Sequence, residues 1–370
     1  MFGINGFNKN YFLGVDFGTS SIKVIELEYK NGSIYLANYG WIELPPKKKV
    51  GEFEVKKDEF DDEENINLLK KLFTEMDIKS NKAYISMGSF RGLSALVTIN
   101  DMEDSALEEA IKSEASKYIP VSLDEVYLSS DIVSRKSIGT GDENAPKANF
   151  LGKKERETLE VLLVAAPKED VHKYERIIEG CGLSVASFEL DIFSVTRALV
   201  GDNLGKFLII DIGAKITNIV LVDKGIVRIN RNINIGGDEI TKNISTNLNV
   251  SWDRAEEFKK KNNYLKEEGK SIVLPILNLI AKEAKRVVEL TSAGNNVNKP
   301  VDKVILAGGG SNISGAVEIF SEVLGGNVAI GNPLDGILVE NDKIKEILPS
   351  FASRLSVAKG LAIKGAANHK

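Results

Sequence analysis

The sequence predicts an α/β fold built from two related halves, with a smaller α+β unit set into the first. Three observations carry that prediction. The stretch LGVDFGTSSIKVIEL from Leu13 returns 195 residues later as LIIDIGAKITNIVLV from Leu208: an apolar strand, Asp-x-Gly, then a second strand. A third element, ILAGGGSN at 305–312, joins an apolar strand to a helix through three glycines. Between the repeats, residues 96–189 alternate strand and helix patterns of their own, in the order β-α-β-β-α-β. A repeat at this separation means a duplicated domain and not a solenoid, whose period is roughly 20–50 residues.

The elements follow in order. YFLGVDF and SIKVIELEY are apolar or alternating runs rich in Val, Ile and Phe, the mark of strands, with Gly18-Thr19 turning between them. Asn31-Gly32 is a two-residue hairpin signal before SIYLANYGWIEL, and Pro45-Pro46 stops the sheet. KKKVGEFEVKKDEFDDEEN is charged and aperiodic, a solvated link; NINLLKKLFTEM has helical spacing. YISMGSFRGLSALVTI reads as strand. DSALEEAIKSEASKYIP reads as a helix with a capping box, Ser105 at the cap and Glu108 three residues on. Leu107, Ile111 and Ala115 share its apolar face, and Pro120 ends it. EVYLSSDIVS is strand, RKSIGTGDENAPKANFLGKKERE a polar loop, and TLEVLLVAAP strand. EDVHKYERIIEGCG is a helix closed by Gly182, and LSVASFELD a further strand.

From Lys206 the opening pattern returns as KFLIIDIG and KITNIVLV, and VDKGIV turns the chain into VRINRNINIGG. Residues 237–299 are mostly helical, with Leu277, Ile280, Ala281, Ala284 and Val288 on one stripe. VDKVILAGGGSNISGAVEIF is buried strand, glycines and helix. ASRLSVAKGLAIKGAANHK is an alanine-rich helix, with no amphipathic tail expected after it.

Composition removes several function classes. The 370 residues carry a net charge of −5 with both signs interspersed, so no global field favours nucleic acid. The lone Cys181 allows no internal disulfide, fits a reducing compartment and reads as a small buried hydrophobe. Two histidines, His172 and His369, are too few for a His/Cys metal cage, and a catalytic triad would rest on His172 at an exposed helix position. No apolar run reaches the ~18 residues of a membrane span. MFGINGFNKN has no basic region followed by an apolar block, so no secretion signal is expected.

The chemistry lies in the turns. A glycine at the bend lets backbone N–H groups approach a phosphate closely, and successive amides form an anion-binding nest. Thr19, Ser20 and Ser21 add hydroxyls and Lys23 adds charge. Asp16 and Asp211 end their strands at the cleft between the halves. Two carboxylates beside a polyphosphate suit Mg²⁺ that keeps its water. One such hairpin alone would be unremarkable; two at matched places, with the glycine loop as a third, point to a nucleotide. The glycines would lie against base and ribose, beside a helix N-terminus. No G-x-x-x-x-G-K-[ST] occurs, nor any G-x-G-x-x-G after a strand, so neither a P-loop nor a dinucleotide site is expected.

Together, DFGTSSIK, DIGAKITN and LAGGGSN resemble, in order, the phosphate-1, phosphate-2 and adenosine motifs of the actin-like (ribonuclease H-like) ATPase superfamily. ELDIFSVTRAL and SRLSVAKGLAIKG are similar to its two connecting helices. The text ALEEAIKSEASKYIPVSLDEV, followed by LEVLLVAAPKEDVHKYERIIEGCGLSVASFELDIFSVTRAL, resembles the 1C subdomain of the FtsA and PilM families, and PilM in particular; so do INIGGDEIT and RAEEFKKK. The resemblance covers about 11–365. It implies four subdomains: 1A at 11–95, 190–205 and 350–367; 1C at 96–189; 2A at 206–236 and 300–349; and 2B at 237–299.

It also implies a cytoplasmic ATP-binding scaffold of the type IV pilus inner-membrane platform. Such a scaffold captures the N-terminal peptide of a PilN-like bitopic membrane protein in a groove beside 1C. It meets other platform or motor proteins and reaches the membrane through partners only. Carried over, Gly18, Thr19, Ser20, Ser21, Lys23, Gly213, Ala214, Lys215 and Thr217 are implied phosphate contacts, and Asp16 and Asp211 hold Mg²⁺ through water. Gly237, Glu256, Lys259, Gly308, Gly309, Gly310, Ser311 and Asn312 serve adenosine and ribose. The family's Glu-Pro in the first connection is Asp191-Ile192 here, so Asp191, a shorter carboxylate on an unkinked backbone, is the catalytic candidate and hydrolysis is expected to be slow at most. Lys215 replaces a small polar residue. An FtsA-like membrane filament and, behind it, a sugar or acid kinase are the alternatives.

Overall fold

The computed structural model describes residues 10–44, 49–50, 53–54, 62–137, 157–261, 267–292 and 300–367. The first nine residues, His369, the polar loop at 138–156 and most of the charged link after Leu44 lie outside these. Residues 90–172 form one compact unit and the rest of the chain another.

The larger unit opens with three antiparallel strands, β1 (Tyr11–Phe17), β2 (Ser21–Lys30) and β3 (Ser33–Glu43). Asn31 and Gly32 both have positive φ, 53° and 75°, which matches the right-handed twist of the hairpin they connect. A two-residue ladder, β4 (Lys49–Val50) with β5 (Phe53–Glu54), follows. The helix α1 (Asp62–Met76) buries Leu69, Leu72 and Phe73. It comes so close to β3 that a Cβ at Gly40 would stand 2.9 Å from Met76 Sδ. Strand β6 (Lys82–Met87) then pairs parallel with β1.

The smaller unit begins where the sequence expectation had one continuous strand. YISMGSFRGLSALVTI breaks in two, because a turn through Ser89–Arg91, flanked by Gly88 and Gly92, separates β6 from β7 (Leu93–Asn100). Helix α2 (Asp104–Ala115), β8 (Val126–Ser137) and β9 (Glu157–Pro167) complete an antiparallel sheet in the order β7-β9-β8, with α2 on one face. Val97, Ile99, Leu107, Ala115, Leu159, Val161 and Leu163 form its core. The expected capping box does not form. Glu103 is the N-cap and makes no side-chain bond there, so Ser105 falls inside the first turn. Helix α3 (Lys168–Gly180) carries the chain back and is closed by Gly182 at φ 83°. His172 is exposed and bonds Tyr127 Oη at 2.9 Å. Burial pushes the Cys181 thiol up to about 11, so it stays protonated and unreactive.

Strand β10 (Ser184–Leu190), expected within the smaller unit, instead pairs parallel with β6 through a bulge between Val185 and Ser187. The first sheet is therefore β10-β6-β1-β2-β3. After α4 (Asp191–Leu199) the pattern repeats: β11 (Lys206–Ile212), β12 (Thr217–Asp223) and β13 (Ile226–Ile233) form an antiparallel run. Helices α5 (Gly237–Leu248), α6 (Trp252–Lys261) and α7 (Glu267–Ser292) follow. Then come β14 (Lys303–Ala307), parallel to β11, α8 (Ala316–Leu324) and β15 (Val328–Ile330). The second sheet, β13-β12-β11-β14-β15, has the order of the first. On α7, Leu277, Ile280, Ala281, Ala284 and Val287 are fully buried, while Val288 packs at the margin of the same core.

The chain ends with α9 (Asp342–Ile347) and α10 (Ser356–Ala367), buried along most of its length. A Cβ at Gly14 would stand 2.0 Å from Ala358 O, and one at Gly360 would stand 1.9 Å from Ser194 O. Backbone thus packs on backbone where α10 crosses β1 and α4.

Candidate functional site

The two turns that the repeat predicts are built alike. Gly18 N–H donates to Ser21 O at 3.1 Å, and Gly213 N–H donates to Ile216 O at 3.0 Å. In each turn the next two amides, those of Thr19 and Ser20 and those of Ala214 and Lys215, have no hydrogen-bond partner among the described residues. Pairs of free amides on a tight bend are the donors an anion nest needs.

Each turn follows an aspartate held in register. Asp16 lies opposite Lys23 and Ser86; Lys23 Nζ reaches its Oδ2 at 3.2 Å and Ser86 Oγ its Oδ1 at 3.2 Å. Asp211 lies opposite Asn218, which lies opposite Asn232 on β13. Asn218 occupies the place of Lys23 in the repeat, and its Nδ2 donates to Asp191 Oδ2 at 2.9 Å. The Ser89 amide donates to Asp191 Oδ1 at 2.9 Å, and Ser89 Oγ meets Asn232 Oδ1 at 3.1 Å. Asp191, at the head of α4, is thus clasped from both lobes. Asn218 Oδ1 is buried with no partner among the described residues.

Three carboxylates consequently share one region. Burial first, then Asp211 and Asp16, push Asp191 up to about 7. Burial and Asp16 push Asp211 up to about 6 against the pull of Lys23. Their charged forms are under-compensated by the protein itself. Among the described residues no three acidic, His or Cys side chains are placed to hold a metal ion directly. The carboxylate donor set fits Mg²⁺ kept in its water shell, and the free amides fit a polyphosphate.

The GG of INIGGDEIT packs on the second turn. Gly237 N–H donates to Gly213 O at 2.9 Å and Asp238 N–H to Ala214 O at 2.7 Å, and a Cβ at Gly236 would meet both carbonyl oxygens at 2.6 Å. Helix α6 brings Glu256 and Lys259 to this point. Lys259 Nζ lies 2.6 Å from Glu256 Oε2 and 3.0 Å from Gly237 O, and Thr241 Oγ1 donates to Glu256 at 2.6 Å. Burial would raise Glu256, but Lys259 and Thr241 hold its carboxyl below the usual range. Thr217 reads differently from the sequence expectation. It is fully buried and its hydroxyl donates to Ile235 O at 2.7 Å, so its proton holds the connection ahead of α5.

The third loop leaves β14 directly beside Asp211. Gly308 has φ 76°, and a Cβ there would stand 2.3 Å from Asp211 Oδ1. Ser311 Oγ donates to Gly308 O at 2.7 Å and Asn312 Nδ2 to Ser353 Oγ at 2.8 Å, so both side chains shape the loop from within. Sequence reasoning missed Ser86, Ser89 and Asn218. Only Asn218 had a signal, its match to Lys23 in the repeat.

Comparison with known proteins bears on the family and the fold. The family model for the type IV pilus assembly protein PilM matches residues 14–366, and the chain belongs to that family. It is 23% identical to the cell division protein FtsA of Bacillus subtilis strain 168, covering 88% of this chain and 79% of that one. A solved PilM-PilN type IV pilus biogenesis complex superposes with a TM-score of 0.78 at 22% identity, covering 97% and 99% of the two chains. MreB5 of Spiroplasma citri bound to AMPPNP gives 0.51 at 15% identity, covering 98% and 100%. The fold is thus actin-like. Among the described residues, no helix is long and apolar enough to cross a membrane.

Proposed function

We propose that the chain is an Mg·ATP-binding scaffold of the type IV pilus platform at the cytoplasmic face of the membrane, and that it captures the N-terminal peptide of a PilN-like membrane protein. The observation that carries the nucleotide half is the pair of matched turns, each with two unpaired amides. Gly18, Thr19, Ser20, Ser21 and Lys23 would hold the polyphosphate from one lobe, and Gly213, Ala214 and Lys215 from the other. Asp16 and Asp211 would take Mg²⁺ through water; Gly237, Glu256, Lys259 and the loop Gly308–Asn312 would line ribose and base. When bound, Mg²⁺ supplies the positive charge that the buried carboxylates and a triphosphate both need. Asp191 is the candidate to orient a water, but each of its oxygens already accepts a bond. The chain is therefore read as a nucleotide sensor with slow turnover.

Peptide capture is supported by family membership, by the PilN in the matched complex, and by the smaller unit itself. Among the described residues strand β8 pairs on one side only, and Tyr127 and Ile132 on it are exposed. An extended peptide can add to such an edge. A synthetic peptide from the N-terminus of a PilN-like protein should bind the full chain with micromolar affinity or better by calorimetry. Absence of heat at two temperatures would refute capture. The FtsA match favours a second reading, polymerisation on membranes, which pelleting with lipid vesicles and Mg·ATP separates from the first.

A further inference from the structure

Arg354 has no role in the account so far. It lies in the short turn Ala352–Leu355 just before α10. Three hydrogen bonds tie that turn to the glycine loop: Gly308 N–H to Ser353 O at 3.1 Å, Ser353 Oγ to Gly308 O at 3.2 Å, and Asn312 Nδ2 to Ser353 Oγ at 2.8 Å. The Arg354 side chain runs along the loop, with Nε 3.5 Å and Cγ 3.8 Å from where Gly309 would carry a Cβ. That Nε is buried and has no hydrogen-bond partner among the described residues. Among the described residues no acid forms an ion pair with Arg354, whereas Lys23 pairs with Asp16 and Lys259 with Glu256.

The side chain is only half-buried, with Nε closed to solvent, so the outer guanidinium is the part that a ligand can meet. Here it borders a bare glycine Cα, where a flat group can approach closely. A guanidinium stacks on aromatic faces and donates in its own plane, which a nucleobase can accept at both its face and its edge. We propose that Arg354 is a base contact: its guanidinium stacks against the purine held by the loop Gly308–Asn312. The proposal rests on the nucleotide reading above. It places a nucleoside contact on the segment that leads into the connecting helix α10, where Ser353 bonds Gly308 across 45 residues of chain.

The test is calorimetric titration of the full chain, in wild type, Arg354→Ala and Arg354→Lys, with Mg·ATP, Mg·CTP and inorganic tripolyphosphate. Loss of the stacked guanidinium should weaken Mg·ATP roughly tenfold and narrow the preference of ATP over CTP, with tripolyphosphate unchanged. Arg354→Lys should recover little, since an ammonium lacks the flat face that stacks on a base. Equal ATP affinity in wild type and Arg354→Ala would overturn the assignment while leaving the nucleotide reading standing. So would an equal loss for tripolyphosphate, which would move Arg354 to the phosphates. A wild type that binds neither ATP nor tripolyphosphate would remove the nucleotide reading and this inference with it. Melting of the ligand-free variants checks folding, and if Arg354→Ala does not fold, Arg354→Lys decides.

Discussion

Replacing Asp211 by Asn should stabilise the nucleotide-free protein and weaken its grip on Mg·ATP. Burial and the neighbouring Asp16 raise the Asp211 carboxyl to about 6, whereas the unfolded chain ionises it near pH 3.9. Below about pH 4 both states keep the proton, and the group costs folding nothing. As pH rises toward 6 the unfolded state loses its proton first, so stability falls; above that the full penalty stands. Two pKa units correspond to about 3 kcal/mol. Part of this is repulsion among Asp16, Asp191 and Asp211, so the variant should also let Asp191 ionise below its present value of about 7. Wild type and Asp211→Asn should melt together near pH 4, and the variant should lead by a few degrees at pH 8. Saturating Mg·ATP should reverse that order, because only the wild type gains the full linkage stabilisation. Differential scanning calorimetry of both proteins at both pH values, with and without Mg·ATP, reads these differences. A variant that melts below wild type at pH 8, or that keeps the whole Mg·ATP shift, would refute the reasoning.

Two further substitutions probe the same cleft. Gly308→Ala would place a Cβ 2.3 Å from Asp211 Oδ1 and 2.5 Å from Ile212 O, and its backbone, at φ 76° and ψ 175°, is one that essentially only glycine adopts, at a cost of about 1–3 kcal/mol for another residue. It should abolish the ATP-dependent thermal shift, and an unchanged shift would contradict the loop's place in the site. Asn218→Ala removes the donor to Asp191 Oδ2 and should lower the urea midpoint by about 1–3 kcal/mol of stability without changing the slope. An unmoved midpoint would mean that this bond between the lobes carries no stability.

The repeat was legible because it is local chemistry written twice. Strands β1 and β11 begin and end 195 residues apart at both termini, and Asp16 and Asp211 head the same turn. The glycine loop was legible for a similar reason: Gly308 needs positive φ and has no room for a side chain beside Asp211. Pairing between distant segments was not legible. Residues 184–190 have the alternation of any half-buried strand, and nothing local says that the partner is β6 and not β9. The break at Ser89–Arg91 was hidden because apolar residues continue on both sides of Gly88 and Gly92. Ser105 offered a plausible cap, but the helix is capped two residues earlier, at Glu103. Ser89 gave no signal, since its amide and hydroxyl meet Asp191 and Asn232, 102 and 143 residues further along the chain.

The most direct test of the account is a structure of the full chain crystallised with Mg²⁺ and a non-hydrolysable ATP analogue. The account predicts one nucleotide in the cleft, its phosphates receiving bonds from the free amides of both Thr19–Ser20 and Ala214–Lys215. A phosphate chain bound to one turn alone, or a nucleotide bound elsewhere, would contradict it.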